Sequence, residues 1–302
     1  MPPRAIRFPS VSLVSALPHL AVLGPGLLGG SLLHDAKRLG WPNVRAWARR
    51  EETVEQLRAQ QLAHLATTDL AAAVQGAQVI VLASPVGSYP ALVEELLRCE
   101  LASQVIITDL GSVKGPVVAG IGRTLTAAGI AFVGGHPMAG SEAKGLAAAR
   151  PQLFDRAFCL LTPTPDTPPF ALATITALWE ALGAQVATLE AARHDAIMAR
   201  ISHLPHLAAA AITLAALEGD PNIARYAAGG LRDTTRVASG APAMWEEILS
   251  ENRTAVLNAG RELHQKLGEL LEFLENRDHA QLRAALEQAK ALRDARYPPA
   301  SS

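Results

Sequence analysis

Along the first two thirds of the chain, apolar residues fall in short continuous runs separated by longer stretches with helical spacing. The runs at 20–23, 44–47, 78–83, 104–108, 131–133 and 157–161 predict β-strands. Val79, Ile80, Val81 and Leu82 admit no polar residue, the pattern of a strand covered on both faces. Helix-like segments lie between the runs, at 27–39, 51–60, 89–97 and 113–127. A proline-rich break follows at 162–169, and 170–182 with 185–189 adds one more helix and strand. Such alternation predicts an α/β fold with a parallel sheet and right-handed crossovers. From Glu190 onward the strand signals stop. Segments 190–217, 241–274 and 279–293 read as helices, the first kinked at Pro205 and the second interrupted by Gly260 and Gly268. The expected organisation is an extension at 1–19, an α/β domain at 20–189, an all-α domain at 190–296 and a tail at 297–302.

The turn after the first run carries Gly24-Pro25-Gly26-Leu27-Leu28-Gly29. A G-x-G-x-x-G string between strand and helix is a dinucleotide fingerprint, so the α/β domain is expected to be Rossmann-like. Gly24 allows the tight turn, Gly26 lets the backbone approach a pyrophosphate, and Gly29 lets the helix lie close on its strand. The first-turn N–H groups, at Leu27 and Leu28, then face anionic phosphates. A cofactor lacking a 2′-phosphate normally meets an acidic residue at the end of the second strand. Here that strand runs into Ala48-Arg49-Arg50. Two guanidiniums suit a 2′-phosphate, which favours NADP over NAD. The alternative is an exposed basic turn paired with Glu51 and Glu52.

Composition narrows the class. Of 302 residues, 49% are hydrophobic and 18% charged, a globular balance with ample material for a core. A net charge of −1 supplies no basic field for nucleic acid. No run reaches the ~20 uninterrupted apolar residues of a membrane span. Cys99 and Cys159 are too few for a disulfide framework and read as small buried hydrophobes, so a cytoplasmic location is expected. The Ala- and Leu-rich helical half has apolar surface to hide, and a second subunit is the expected cover.

Four further segments carry candidate chemistry. Asp109-Leu110-Gly111-Ser112-Val113-Lys114-Gly115 follows a strand, where ligands sit in open α/β sheets. Ser112 is placed to face substrate and also to cap the next helix, Asp109 to hold the loop, and Lys114 to be solvated. His136 lies at the end of the 131–133 strand, between Gly134-Gly135 and Pro137, where the backbone can crowd a ligand. Its imidazole suits taking a proton at neutral pH. His203 and His206 lie three apart in a helical pattern. No carboxylate or cysteine completes a metal site at ligand spacing, so contact with substrate or nicotinamide is the expectation. Arg232 and Arg236 follow Gly229-Gly230, four apart on one face. Arg236 is expected to hold a substrate carboxylate and Arg232 to be structural.

Taken in order, the strings at 24–31, 109–115, 136–140, 202–206 and 232–236 resemble the prephenate/arogenate dehydrogenase family of tyrosine biosynthesis. The resemblance spans about residues 20 to 250. It implies a nucleotide-binding domain followed by a helical dimerisation domain, acting as a homodimer on a small-molecule substrate, prephenate or arogenate. The implied reaction is oxidative decarboxylation. Substrate C4 gives a hydride to the nicotinamide, its hydroxyl loses a proton, and the ring carboxylate leaves as CO2. By resemblance His136 is the catalytic histidine bonded to the C4 hydroxyl and Ser112 the serine beside it. Arg236 matches the arginine holding substrate carboxylate, His206 the histidine near substrate, and Trp245 a tryptophan near the active site. The Ser84-Pro85 loop matches one beside the bound nucleotide. Two departures from the family pattern stand out. The acid for NAD is replaced, and neither a regulatory ACT segment after Arg296 nor a chorismate mutase segment before residue 20 is visible. Feedback by tyrosine would then act at or near the active site. Rival readings are a β-hydroxyacid dehydrogenase or an imine or pyrroline reductase of the same architecture, or a nucleotide-binding sensor without turnover. The hydroxyacid enzymes rely on a helical lysine, for which only Lys266 and Lys290 are available.

Overall fold

A computed structural model describes residues 18–140 and 145–297, leaving nearly all of the expected extension and tail outside the described residues. The α/β half runs β1 (Leu20–Leu23), α1 (Leu27–Arg38), β2 (Val44–Trp47), α2 (Glu51–Ala59), β3 (Leu65–Thr67), α3 (Leu70–Val74) and β4 (Val79–Leu82). It continues with α4 (Tyr89–Leu96), β5 (Ile106–Asp109), α5 (Gly115–Val117), α6 (Arg123–Ala127), β6 (Ala131–Pro137), β7 (Phe158–Thr162), α7 (Pro169–Ala181) and β8 (Gln185–Thr188). Eight strands form one sheet in the order β3-β2-β1-β4-β5-β6-β7-β8. The order reverses between β1 and β4, which places a crevice at their carboxyl ends.

Alternate strand residues feed two cores. Leu20, Val22, Val79 and Val81 face a layer with Leu33, Trp41, Leu57, Phe154 and Trp179. Ala21, Leu23, Ile80 and Leu82 face the opposite layer with Val74, Tyr89, Leu92, Leu96 and Leu125. Each fully buried Leu, Ile or Val contributes about 1.5–3 kcal/mol, and burial on both faces explains the unbroken apolar runs. The parallel expectation holds from β3 to β6 but not beyond. β7 pairs antiparallel with β6, and β8 is parallel to β7.

The helical half comprises α8 (Ala191–Met198), α9 (Leu204–Leu217), α10 (Gly229–Thr235), α11 (Pro242–Glu251), α12 (Arg253–Glu275) and α13 (His279–Asp294). A π-helical turn, Ala199–His203, joins α8 to α9 and absorbs the missing N–H of Pro205. The expected interruptions at Gly260 and Gly268 are absent, and α12 runs through both. The break falls instead at Asn252, a buried residue whose side chain bonds other elements. A glycine within a helix costs only about 1 kcal/mol, too little to end a well-packed one. The stretch Ala191–Leu217 is long and apolar enough to cross a bilayer by composition alone. Here, however, it buries His194, Asp195, His203 and His206 inside the protein, while Ile201, Leu207, Ile212 and Leu214 are exposed.

Candidate active site

The glycine loop begins at the end of β1, where Gly24 adopts a positive φ of 78°. A Cβ there would lie 2.7 Å from Ser84 Cβ, so Gly24 is needed both for the turn and for the neighbouring Ser84-Pro85 loop. A Cβ on Gly29 would lie 2.7 Å from Ala83 Cβ and 3.2 Å from Val22 Cγ1, which fixes how closely α1 packs on the sheet. At Gly26, by contrast, nothing among the described residues lies within 4 Å of the missing Cβ. Gly26 precedes the first residue of α1, and no side chain caps that helix or adds an acid to its first turn. The open cradle and the uncapped N–H groups fit the pyrophosphate of a dinucleotide.

At the end of β2, Ala48 is buried, while Arg49 and Arg50 are exposed. The alternative pairing with Glu51 is not formed, because Glu51 binds Arg58 at 3.0 Å. Among the described residues Arg49 and Arg50 make no ion pair.

His136 departs from its expected setting. The strand predicted at 131–133 continues to Pro137, and His136 lies within it, opposite Leu160 of β7. The flanking glycines serve the sheet. A Cβ on Gly134 would lie 2.5 Å from Thr162 Oγ1, and one on Gly135 would lie 2.9 Å from the Asp109 carbonyl oxygen. His136 as a whole keeps 8% of its surface exposed. Its Nδ1 lies 2.9 Å from Nε2 of His194, whose own Nδ1 lies 2.8 Å from Oδ1 of Asp195. Burial, with the neighbouring His194, Lys114 and His203, pulls the His136 pKa well below the ordinary histidine value. The ring is therefore neutral, and able to accept a proton, at physiological pH.

The loop after β5 is tied from below. Lys114, expected to be solvated, is fully buried and ion-paired with Asp109, and it donates to the Gly135 carbonyl at 2.8 Å. Asp109 also accepts from Gly111 N at 2.8 Å and Gly135 N at 3.0 Å. A charge in such a site needs a full set of partners, and the loop is shaped around supplying them. Ser112 sits half-buried in the bend, but it is not the helix cap, since α5 begins at Gly115. Asp195, from the helical half, does the capping: its carboxylate accepts from Lys114 N at 2.8 Å and Gly115 N at 2.7 Å.

A second cluster surrounds Trp245 on α11. His206 stacks on the indole with centroids 3.7 Å apart and planes at 10°, and His203 meets it edge-on at 6.3 Å. Gly240 leaves room for this stack, since a Cβ there would lie 2.3 Å from Trp245 Nε1. His206 is buried, and its Nδ1 has no hydrogen-bond partner among the described residues. Burial lowers its pKa against an opposing pull from the Val237 backbone. His203 is deeper, and burial takes its pKa down to about 4. Its Nδ1 lies 3.1 Å from Asn252 Nδ2, which also donates to the Asp195 carbonyl at 2.8 Å. Asn252 thus links the two histidine clusters. Arg236, exposed, opens the turn Arg236–Ser239, which packs against α9. Arg232 is exposed beside Asp233 at 3.7 Å. On α11, Glu247 accepts from Gly87 N, joining the helical half to the loop after β4.

Sequence reasoning missed His194, Asp195, Asn252 and Glu247. The one local signal was a His-Asp pair in the first helix after the sheet. Among the described residues no His, Cys, Asp and Glu cluster could hold a metal. Lys266 and Lys290 are exposed and paired with Glu269 and Asp294.

Residues 41–188 match the family model of the prephenate dehydrogenase nucleotide-binding domain, and 190–288 match that of the prephenate dehydrogenase dimerization domain. The chain is 33% identical over 284 residues to a prephenate dehydrogenase of Bacillus subtilis, covering 91% of this chain and 75% of that one. It is 34% identical to a cyclohexadienyl dehydrogenase of Zymomonas mobilis, covering 79% and 82%. A crystal structure of prephenate dehydrogenase from A. aeolicus, in complex with hydroxyphenyl propionate and NAD+, superposes with a TM-score of 0.85. Its sequence identity is 28%, over 92% of this chain and 98% of that one.

Proposed function

The chain belongs to the prephenate dehydrogenase family, and on that premise we propose that it converts prephenate to 4-hydroxyphenylpyruvate by NADP-dependent oxidative decarboxylation. The observation that carries this reading is the buried His136 at the carboxyl end of the sheet, backed by His194. A bound oxidised nicotinamide supplies the acceptor for the hydride on substrate C4. His136 Nε2 takes the proton of the C4 hydroxyl as that hydride leaves. The electron pair of the bond to the ring carboxylate then enters the ring, CO2 departs, and the oxygen becomes a phenolate. The same proton returns to it, so His136 lends a proton rather than consuming one.

Ser112 is assigned to the same hydroxyl, Arg236 to a substrate carboxylate, and His206 with His203 and Trp245 to the wall of the substrate site. Gly24, Gly26, Leu27, Leu28, Gly29, Ser84 and Pro85 are assigned to the dinucleotide. Exposed Arg49 and Arg50, with no acid at the β2 terminus, support NADP. Leu263, Leu267, Leu271 and Leu274 form an exposed apolar stripe on α12, which supports a homodimer through the helical half. Arogenate, with an ammonium in place of the keto group, would yield tyrosine by the same chemistry.

Steady-state kinetics with prephenate and arogenate, each with NADP+ and NAD+, test the reading. Reduced cofactor and CO2 should form together, fastest with NADP+ and prephenate. Tight cofactor binding without turnover on either acid would refute it.

A further inference from the structure

We propose that His194 and Asp195 are positioning residues: they fix His136 in the tautomer with its proton on Nδ1, leave Nε2 as the base, and share the proton taken from substrate. This rests on the assignment of His136 as the proton acceptor.

The argument starts at Asp195. Its carboxylate receives three N–H groups: His194 Nδ1 at 2.8 Å, Lys114 N at 2.8 Å and Gly115 N at 2.7 Å. Burial opposes its charge, but these bonds outweigh burial and hold its pKa below the ordinary value. An ionised carboxylate can only accept, so His194 must carry its proton on Nδ1. With that single proton on the ring, the lone pair falls on Nε2, the atom 2.9 Å from His136 Nδ1. One of that pair must donate, and His194 Nε2 cannot. His136 therefore carries its proton on Nδ1 and presents an unprotonated Nε2. No hydrogen bond to that nitrogen is formed among the described residues.

The same chain has room for the borrowed proton. When Nε2 of His136 binds it, the proton on Nδ1 can shift 2.9 Å along the existing bond to His194 Nε2. The positive charge then lies one ring closer to the Asp195 carboxylate, which stays ionised. Reversal returns the proton to the phenolate oxygen, so nothing is gained or lost over a turnover. The charged and titratable groups around His136 are His194 and Asp195 from α8, Lys114 from the loop before α5, His203 from the π-helical turn, and Cys159 from β7, whose thiol lies against the His136 backbone. Lys114 is neutralised by Asp109, so the relay is the outlet for positive charge. The Asp195 carboxylate bonds His194 and caps α5 at once, so the relay is seated where the helical half meets the loop after β5.

Two substitutions in the full chain separate the functions of His194. His194→Gln keeps an acceptor within reach of His136 but cannot take a proton. His194→Asn keeps a donor for Asp195 but withdraws the acceptor. Proton-detected 15N spectra of histidine-labelled, ligand-free protein report the tautomer directly. His136 should carry its proton on Nδ1 in the wild type and in His194→Gln, and shift to Nε2 in His194→Asn. The kcat of His194→Asn should fall by about 10²-fold or more, with KM and cofactor Kd within about twofold. His194→Gln should lose less and show a displaced acid limb in its kcat/KM profile. A wild-type spectrum with the His136 proton on Nε2 overturns the proposal even if neither variant folds. So does a His194→Asn variant with unchanged tautomer and kcat. The spectra need no substrate, so a correct tautomer without turnover would count against the assigned reaction instead.

Discussion

Replacing Lys114 with methionine keeps most of its buried volume and removes the ammonium. Lys114 and Asp109 both have no exposed side-chain surface and bond each other directly. After the substitution Asp109 retains two backbone donors, Gly111 N at 2.8 Å and Gly135 N at 3.0 Å. It becomes, however, an uncompensated charge under the sheet, and the Gly135 carbonyl loses its 2.8 Å donor. Breaking a buried pair on one side costs about 3–5 kcal/mol, a large fraction of the total stability of a domain. Adding Asp109→Asn removes the stranded charge but leaves an amide oxygen to serve two N–H donors, so recovery should be partial. Urea unfolding followed by tryptophan fluorescence reads the cost, since Trp179 is fully buried in the α/β core. The double-mutant cycle should give a coupling of at least about 2 kcal/mol. A Lys114→Met variant within about 1 kcal/mol of wild type, or a double variant weaker than the single, would refute the role of this pair as the loop's anchor.

Three further outcomes follow from the site. His136→Asn should lower kcat by about 10²–10⁴ with nicotinamide affinity unchanged in a fluorescence titration; an intact kcat removes His136 from the mechanism. Replacing Arg49 and Arg50 with glutamine should raise KM for NADP+ by at least about tenfold while leaving that for NAD+ nearly constant. An equal change in both would mean that this turn does not read the 2′-phosphate. The folded His203 binds a proton only near pH 4, whereas the unfolded chain does so near its ordinary value of 6.5. Its contribution is therefore present above about 6.5 and lost as pH falls through that window, by roughly 3 kcal/mol in all. His203→Gln should flatten the fall in unfolding free energy between pH 7 and 4.5, and an unchanged slope would mean that His203 is not buried neutral.

Which parts of this molecule could be read from the amino-acid order follows from the range of the interactions that define them. Strands β1 and β4 are buried on both faces, so each residue is apolar for a reason local to it. The edge strand β3, Leu65–Thr67, and the short α3 after it carry too few residues to form a pattern, and neither was expected. Gly24, Gly26 and Gly29 are recognisable because turn, open cradle and close packing fall within six residues of sequence, and at Gly24 and Gly29 the neighbours leave no room for a Cβ. His136 stood out for a partly mistaken reason. The glycines beside it make space for Thr162 and for the end of β5, not for a ligand. Lys114 sits among glycines and reads as solvated; only the pairing of β5 with β6 encloses it.

The residues that govern protonation were invisible for the same physical reason. Asp195 is about 80 positions from the N–H groups it caps, and His194 is 58 from the ring it bonds. The adjacent His-Asp pair is the one local sign, and beside Arg193 and Ala196 it reads equally as a solvated helical start. A general base announces itself by residue type and backbone setting, but its tautomer is fixed by whatever faces its far nitrogen. In this fold that partner arrives on the first helix of the other half. A scan for histidines therefore finds the group that takes the proton, while the groups that decide which nitrogen takes it emerge only when α8 is laid against the loop after β5.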